Sequence, residues 1–271
     1  MLDYYRNRAI RILPSYYVAI IVTIIFHQCV LRDVTADIFK LGWFRYFIGF
    51  NMMIPSDNYY LWNNAHAFWT MSCFMWFYIL TPLILGFVRT LRQSVLFLSF
   101  TFLGSYVWKV IMFSLFSVEN VDSLYTLANG SPFGVLYQFA FGIMTYFALK
   151  EEKENEGIAV FVLSSVLGLI LGKNVLIWCS LCGIMIIVLK NKEVQMPDKY
   201  LRFVRITGKE SYHIYLAHML SFDIAKYVVN VYYNEPVPVR YVIWLLISVV
   251  LMALLCFVMN ICERVVRAVV M

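Results

Sequence analysis

Apolar residues fill long uninterrupted segments of this chain, and polar residues are confined to the short intervals between them. Eight segments approach the roughly 20 apolar residues that a helix needs to cross a bilayer, and they cover residues 12–31, 66–88, 94–117, 132–149, 157–171, 174–189, 211–231 and 240–262. The segments are continuously apolar, whereas strands of membrane barrels alternate polar and apolar residues. The pattern therefore predicts an all-α, polytopic membrane protein with about eight transmembrane helices.

Composition agrees with lipid as the solvent of this chain. Hydrophobic residues make up 62% of it and charged residues only 14%, against about 25% charged in soluble domains. The longest polar interval, residues 190–210, is too short for a soluble domain. We therefore expect residues 1–271 to form a single transmembrane domain. Residues 39–54 are apolar but short, which favours an interfacial or re-entrant helix over a ninth crossing.

The net charge of +6 is explained by where the basic residues fall. If the N-terminus is cytoplasmic and the chain crosses eight times, the inner loops hold most Lys and Arg, at residues 6–11, 89–92, 150–153, 190–209 and 264–267. Loops that stay in the cytoplasm carry this excess. The pattern predicts a multi-pass protein of the inner (plasma) membrane with both termini cytoplasmic, and it does not suggest a nucleic-acid partner.

Ionisable and polar residues inside spans are functional candidates, because lipid tolerates them poorly. His66 and Trp69 share one stripe of the second span, which is either an interfacial aromatic belt with one histidine or a site facing an acceptor on the outer side. Tyr215 and His218 share a face of the seventh span, whereas His213 points elsewhere. His218 is either a hydrogen-bonded core histidine or part of a site.

Other polar residues favour structural roles. Lys109 lies near the centre of the third span and has to face the bundle interior, form an ion pair or snorkel. Asp223 and Lys226 are spaced to pair with each other. Cys179 and Cys182 form a C-x-x-C inside an apolar segment, where small packing residues are the better interpretation than metal or redox chemistry. No metal site is predicted.

Two arginines mark the start of the first span. Arg8 and Arg11 are three residues apart and share a helix face at the membrane boundary. They are either a positive-inside anchor or a clamp for phosphate, since guanidinium groups bind phosphate in a bidentate fork.

Three segments together resemble the acyltransferase-3 family of integral-membrane acyltransferases. They are YYRNRAIRILPSYYVA at residues 4–19, FWTMSCFMWFYILTPLIL at 68–85 and KESYHIYLAHM at 209–219. They are similar to that family's "RR-x-x-RI-x-P-x-Y", "WTLSVE-x-x-FYLL-x-P" and "SYSIYLxH" spans, in the same order. The resemblance covers essentially the whole chain.

The resemblance implies an acyltransferase that transfers groups other than aminoacyl groups. Members move an acyl group, usually acetyl, from coenzyme A to a hydroxyl, often on a cell-surface polysaccharide or its lipid-linked precursor. Acyl-coenzyme A is then a co-substrate, no other cofactor is expected, and membrane lipid and a glycan or lipid-linked glycan are the other partners. Arg8 and Arg11 match the family's arginine pair and would bind coenzyme A, with Trp69 and Tyr215 as further binding residues. His218 matches the histidine of "YLxH" and is the catalytic candidate, and His66 is a possible acceptor-side residue.

This chain departs from the family pattern in two places. Members typically have ten spans, and the first carries an arginine and a histidine held to be catalytic. The chain resembles the family from the third span onward, so we expect two spans and that histidine to be absent and the chain alone to transfer no acetyl group. Phe74 stands where many relatives have glutamate. The alternatives are an inactive fragment of such an enzyme, or a transporter or flippase subunit with Lys109, Asp223 and Lys226 along its pathway.

The charge bias makes the topology testable. Reporter fusions or cysteine-accessibility labelling at Asn155 and Lys199 should report the cytoplasm, and at Asp122 and Asn234 the outer side. Finding Lys199 on the outer side would overturn the eight-span topology.

Overall fold

The protein is described here from a computed structural model, which covers residues 2–31, 44–51, 65–115, 128–190, 197–233 and 237–270, with the side chains of residues 65–67 left out. Every regular element in these ranges is a helix, and they contain no strand. The predicted all-α fold is confirmed. The segment at residues 39–54 lies partly outside the described residues, and its described part contains only a single short helix.

Nine α-helices and one π-helical segment follow one another in the described residues. The π-helix, Phe26–Leu31, continues the first helix without a break. The α-helices, in chain order, are α1 (Leu2–Ile25), α2 (Phe44–Phe47), α3 (Ala65–Phe87), α4 (Leu91–Leu115), α5 (Pro132–Lys150), α6 (Glu154–Ile170), α7 (Asn174–Leu189), α8 (Asp198–Tyr232) and α9 (Val237–Val270).

The predicted count of eight crossings is not confirmed by helix length and composition. In the described part of the chain, five helical segments are long and apolar enough to span a membrane: Leu2–Leu31, Phe68–Phe87, Leu91–Leu115, Ala128–Lys150 and Val237–Val270. The other three predicted spans also form helices. However, α6 and α7 contain only 17 and 16 residues, and α8 contains many charged residues along its 35.

The chain divides into two compact units. Unit 1 contains Met1–Asn51, Asn58–Met71 and Met196–Met271, and unit 2 contains Met52–Asp57 and Ser72–Gln195. Helices α1, α8 and α9 therefore belong to unit 1, and α4 to α7 belong to unit 2. The single-domain organisation stays a prediction.

In unit 1, hydrogen bonds set the direction and register of α1 and α8. The Tyr212 hydroxyl donates to the Ile12 carbonyl at 3.0 Å, with the two residues 200 positions apart. The His213 ring lies 3.0 Å from the Ser15 hydroxyl, 198 positions away. Since the sequence separation stays near 200, the two helices run parallel. Helix α9 runs antiparallel to α8, and the Trp244 indole donates to the Phe222 carbonyl at 3.0 Å.

Unit 2 is built around Phe161 of α6, which is fully buried. The Phe161 ring stacks on Phe141 of α5, with ring centroids 5.8 Å apart. On α7, the Cα of Gly183 approaches the same ring so closely that an added Cβ would lie 2.6 Å from Phe161 Cε1. The absence of a side chain at Gly183 is therefore what lets α6 and α7 approach each other.

The start of α4 is capped from the end of α5. The Glu151 carboxylate accepts a hydrogen bond of 2.7 Å from the backbone N–H of Leu91, the first residue of α4. The same carboxylate forms an ion pair of 2.9 Å with Lys153. Hydrogen bonds from Lys153 and from the Leu91 N–H hold the pKa of Glu151 below its usual value, so this cap is ionised at neutral pH.

The close packing at Gly183 predicts that adding even a methyl group there lowers the stability of the protein. Gly183→Ala should lower the free energy of unfolding by about 1–3 kcal/mol, because the new methyl group meets a buried ring that has no room to move. Gly142→Ala in α5 is the matched control, since no atom lies within 4 Å of its added Cβ, and it should be neutral or slightly stabilising. Thermal unfolding of the detergent-purified protein measures both. Equal stability of the two variants would contradict this account of the α6–α7 contact.

Candidate active site

The arginine pair lies on the second and third turns of α1. Arg8 is half-buried, and its guanidinium carbon lies 5.6 Å from the centroid of the Tyr4 ring. Arg11 is exposed and has no carboxylate within 4 Å among the residues that the structure describes. Arg6, on the same helix, pairs with Asp3 at 3.2 Å. Arg11 thus carries a positive charge with no carboxylate beside it in the described part of the chain, which suits an anionic ligand.

His218 is held in one orientation on α8. Its Nδ1 lies 2.5 Å from the backbone carbonyl oxygen of Tyr215. A carbonyl oxygen only accepts, so Nδ1 carries the proton in the neutral ring and Nε2 keeps its lone pair. Half-buried, the ring packs against Tyr215 and Phe222, with centroid distances of 5.4 and 6.1 Å. This is the tautomer that a general base needs at Nε2.

Helix α3 contributes to the surroundings of His218 through Thr70. The hydroxyl oxygens of Thr70 and Tyr215 are 2.5 Å apart, and Trp69, next to Thr70, is half-buried. The structure thus brings the start of α3 to the same level of α8 as His218. His66 lies on the first turn of α3, but its side chain lies outside the described residues.

The arginine pair and His218 occupy different levels of unit 1. In the parallel register, Tyr212 is level with Ile12 and His213 with Ser15. His218 is therefore about seven to nine residues further along the axis than Arg11, or roughly 11–13 Å at 1.5 Å per residue. A ligand that touches both must be elongated, with its anionic part at the arginines.

A second histidine, which the sequence interpretation did not include in the site, forms a buried polar cluster. His213 is only 4% exposed. Its Nδ1 lies 2.7 Å from a Glu210 carboxylate oxygen, and its Nε2 lies 3.0 Å from the Ser15 hydroxyl and 3.4 Å from Glu263. Asn260 of α9 donates to the other Glu210 oxygen at 2.8 Å. The cluster joins α1, α8 and α9.

The geometry of this cluster indicates a structural role and not a catalytic one. Both ring nitrogens are engaged, Nδ1 by Glu210 and Nε2 by Ser15 and Glu263. Arg267 in turn donates to Glu263 at 2.6 Å. The cluster fixes α1 one turn beyond Arg11. Its signal in the sequence was present as two i, i+3 polar pairs, Glu210–His213 and Asn260–Glu263, facing each other from apolar helices.

The surroundings of four further polar residues are also defined: His27, Asp223 and Lys226 in unit 1 and Lys109 in unit 2. His27 is buried, in the π-helix that ends the first helix, and its positive form would attract the Asp223 carboxylate. Asp223 and Lys226 do not form the expected ion pair within 4 Å, and one Asp223 oxygen is buried without a hydrogen-bond partner. In unit 2, the Lys109 ammonium lies 5.3 Å from the centroid of the Tyr106 ring, with no carboxylate within 4 Å in the described residues.

Within the described ranges, no group of three or more His, Cys, Asp or Glu side chains is arranged to hold a metal ion. The Cys179 and Cys182 thiols are free, one half-buried and the other exposed.

Comparison with known proteins identifies one match. A family model described as an acyltransferase domain, that of the acyltransferase-3 family, matches residues 1–261 of the 271 in this chain. No curated protein and no solved structure matches it significantly. The matched range includes Arg8, Arg11, Trp69, Tyr215 and His218, and it includes Ser15, Glu210, His213 and Asn260 of the cluster but not Glu263.

The hydrogen bonds of the His213 cluster predict that substitutions of its members lower the stability of the protein by different amounts. Ser15→Ala removes one hydrogen bond and should cost about 0.5–1.5 kcal/mol of stability. His213→Ala also removes the ring that pairs with the half-buried Glu210 carboxylate and should cost more, about 1–3 kcal/mol or above. Tyr212→Phe, which removes the neighbouring bond to Ile12, is the matched control and should behave like Ser15→Ala. Thermal unfolding in detergent measures all three, and equal losses for His213→Ala and Ser15→Ala would refute the cluster's role.

Proposed function

This chain belongs to the acyltransferase-3 family, and we propose that it moves an acetyl group from acetyl-coenzyme A to a hydroxyl of a cell-envelope or exported polysaccharide, or of its lipid-linked precursor. The family match is the observation that supports acyl transfer. The proposal adds the donor, the acceptor and the residues that serve each of them.

The proposed setting is the inner (plasma) membrane with both termini in the cytoplasm. The distribution of Lys and Arg between the predicted loops supports this orientation. It places the first turns of α1 on the side where coenzyme A occurs, and the C-terminal end of α8 on the side of an exported glycan.

Arg8 and Arg11 are proposed to bind the phosphates of acyl-coenzyme A. Their spacing presents two guanidinium groups on one helix face, and each can donate two parallel hydrogen bonds to a phosphate. The roughly 11–13 Å between Arg11 and His218 along the helix axes suits a co-substrate whose phosphates and thioester lie at opposite ends of a flexible arm. Trp69 and Tyr215 would flank the acyl end.

His218 is proposed as the base for the transfer step. Its unprotonated Nε2 would take the proton of the acceptor hydroxyl while the hydroxyl oxygen attacks the thioester carbonyl carbon. The carbon–sulfur bond then breaks, the ester remains on the acceptor, and the proton passes from His218 to the departing coenzyme A thiolate. The hydrogen bond from Nδ1–H to the Tyr215 carbonyl would stabilise the ring in both states. His66 is proposed to face the acceptor.

The arginine proposal is tested by variants that keep the charge. Arg8→Lys and Arg11→Lys should each weaken binding of acetyl-coenzyme A by roughly 10-fold, since an ammonium group cannot form the bidentate fork. Arg6→Lys is the matched control on the same helix, because Arg6 already pairs with Asp3, and its binding should be unchanged. Equilibrium binding to the purified 271-residue chain is the measurement.

Unchanged binding in both lysine variants would leave Arg8 and Arg11 only an anchoring role in the membrane. The base is tested separately, in membranes supplied with labelled acetyl-coenzyme A and envelope glycan. Transfer that His218→Ala abolishes would identify His218 as the base and would overturn the expectation that the 271-residue chain alone transfers no acetyl group. Transfer that survives this substitution would assign the base to another residue.

A further inference from the structure

A pocket of about 320 Å³ lies between the C-terminal half of α8 and the start of α9. It is lined by Lys226 and Asn230 of α8 and by Arg240, Tyr241 and Trp244 of α9, with Val229 and Val237 completing its apolar wall. All of these residues belong to unit 1. The pocket is on a part of the helices that the proposed acyl transfer does not use.

Both cations of this pocket stand outside the ion pairs of the described residues. Neither the Lys226 ammonium nor the Arg240 guanidinium has a carboxylate within 4 Å among the described residues. Asp223, one turn before Lys226, attracts that ammonium from outside ion-pair distance and does not line the pocket. Two positive side chains that converge on one pocket repel each other, so the site favours an anion that touches both.

The remaining lining indicates what kind of anion fits. The Tyr241 and Trp244 rings pack together with centroids 5.2 Å apart, and the Trp244 indole is fixed by its hydrogen bond to Phe222. Valine side chains face the same space. Aromatic residues of this type occur at the boundary between lipid and water. A ligand with a charged head and an apolar tail matches both parts of the lining.

The pocket also lies at the appropriate end of the helices. Lys226 is 13 residues beyond His213 on a continuous helix, which corresponds to roughly 20 Å at 1.5 Å per residue. The hydrocarbon core of a bilayer is about 30 Å thick, so a helix that enters near Ser211 approaches the opposite boundary at Lys226. Arg240 lies on the second helical turn of the following helix.

We propose that this pocket binds the phosphate head group of an anionic membrane phospholipid, at the end of unit 1 opposite to Arg8 and Arg11. Lys226 and Arg240 would neutralise the phosphate, Asn230 can donate a further hydrogen bond to it, and the Tyr241–Trp244 pair would pack along the glycerol and the first part of the acyl chains. This binding is independent of the acyl-transfer proposal and does not need coenzyme A.

The test compares lipid retention by three forms of the full chain. Detergent-purified protein is incubated with vesicles of equal parts phosphatidylglycerol and phosphatidylcholine, re-isolated, and examined by native mass spectrometry. The unaltered chain should retain phosphatidylglycerol in preference to phosphatidylcholine. The Lys226→Gln, Arg240→Gln double variant should bind phosphatidylglycerol roughly 10- to 30-fold more weakly, as expected for two lost cation–phosphate contacts.

The matched control removes the same charge from elsewhere on the same helix. Lys199 and Arg202 are exposed on the first turns of α8, and the Lys199→Gln, Arg202→Gln double variant should retain lipid like the unaltered chain. The charge-preserving Lys226→Arg, Arg240→Lys double variant should also retain phosphatidylglycerol. Retention by this variant would show that substitution at these two positions does not by itself unfold the protein.

Three results would overturn the proposal. They are equal loss of phosphatidylglycerol in the two glutamine double variants, equal retention of the two lipids by the unaltered chain, and displacement of the retained lipid by millimolar inorganic phosphate. The last result would show that the site recognises a free phosphate ion and not a lipid.

Discussion

Lipid supplies no hydrogen-bond partners, so every polar side chain within a membrane helix has to find its partner on protein. In unit 1 this constraint decides how the helices pack. The Tyr212 hydroxyl and the His213 ring of α8 reach the backbone and Ser15 of α1, and Asn260 and Glu263 of α9 complete the cluster around His213. One shift in register would leave several buried polar groups without partners. The position of the arginine pair therefore depends on a histidine that lies on another helix.

Unit 2 meets the same constraint differently. Its buried hydroxyls mostly satisfy themselves within their own helix, as when Thr145 donates to Phe141 and Ser180 donates to Leu176. Hydroxyls that bond back to their own helix say little about which helix comes next. The contact between α6 and α7 is determined instead by shape, through the Phe161 ring and the bare backbone at Gly183. The two units thus rely on polar pairing and on steric fit, respectively.

The hydrophobic pattern was sufficient to predict the all-helical fold, because a continuous apolar run has only one way to satisfy its backbone in lipid. It was not sufficient to count crossings, since α6 and α7 are short and α8 continues as a helix through its charged first turns. The motif at residues 209–219 predicted His218 as a site residue, because its spacing matches the family's "YLxH". His213 was missed because its importance comes from Ser15 and Glu263, which are distant in sequence. The predicted Asp223–Lys226 ion pair does not form, because suitable spacing on a helix permits a contact without requiring it.

Helix α8 is unbroken from Asp198 to Tyr232, and this continuity separates its two histidines. His213 and His218 are five residues apart, and at 3.6 residues per turn their side chains leave the helix about 140° apart. His213 faces α1 and α9, whereas Thr70 of α3 meets the Tyr215 hydroxyl beside His218. The two imidazoles therefore face different neighbours. Substitutions on the His213 side of α8 should therefore alter the packing of the helices, whereas substitutions on the His218 side should alter the chemistry of the bound ligand. One continuous helix carries both functions.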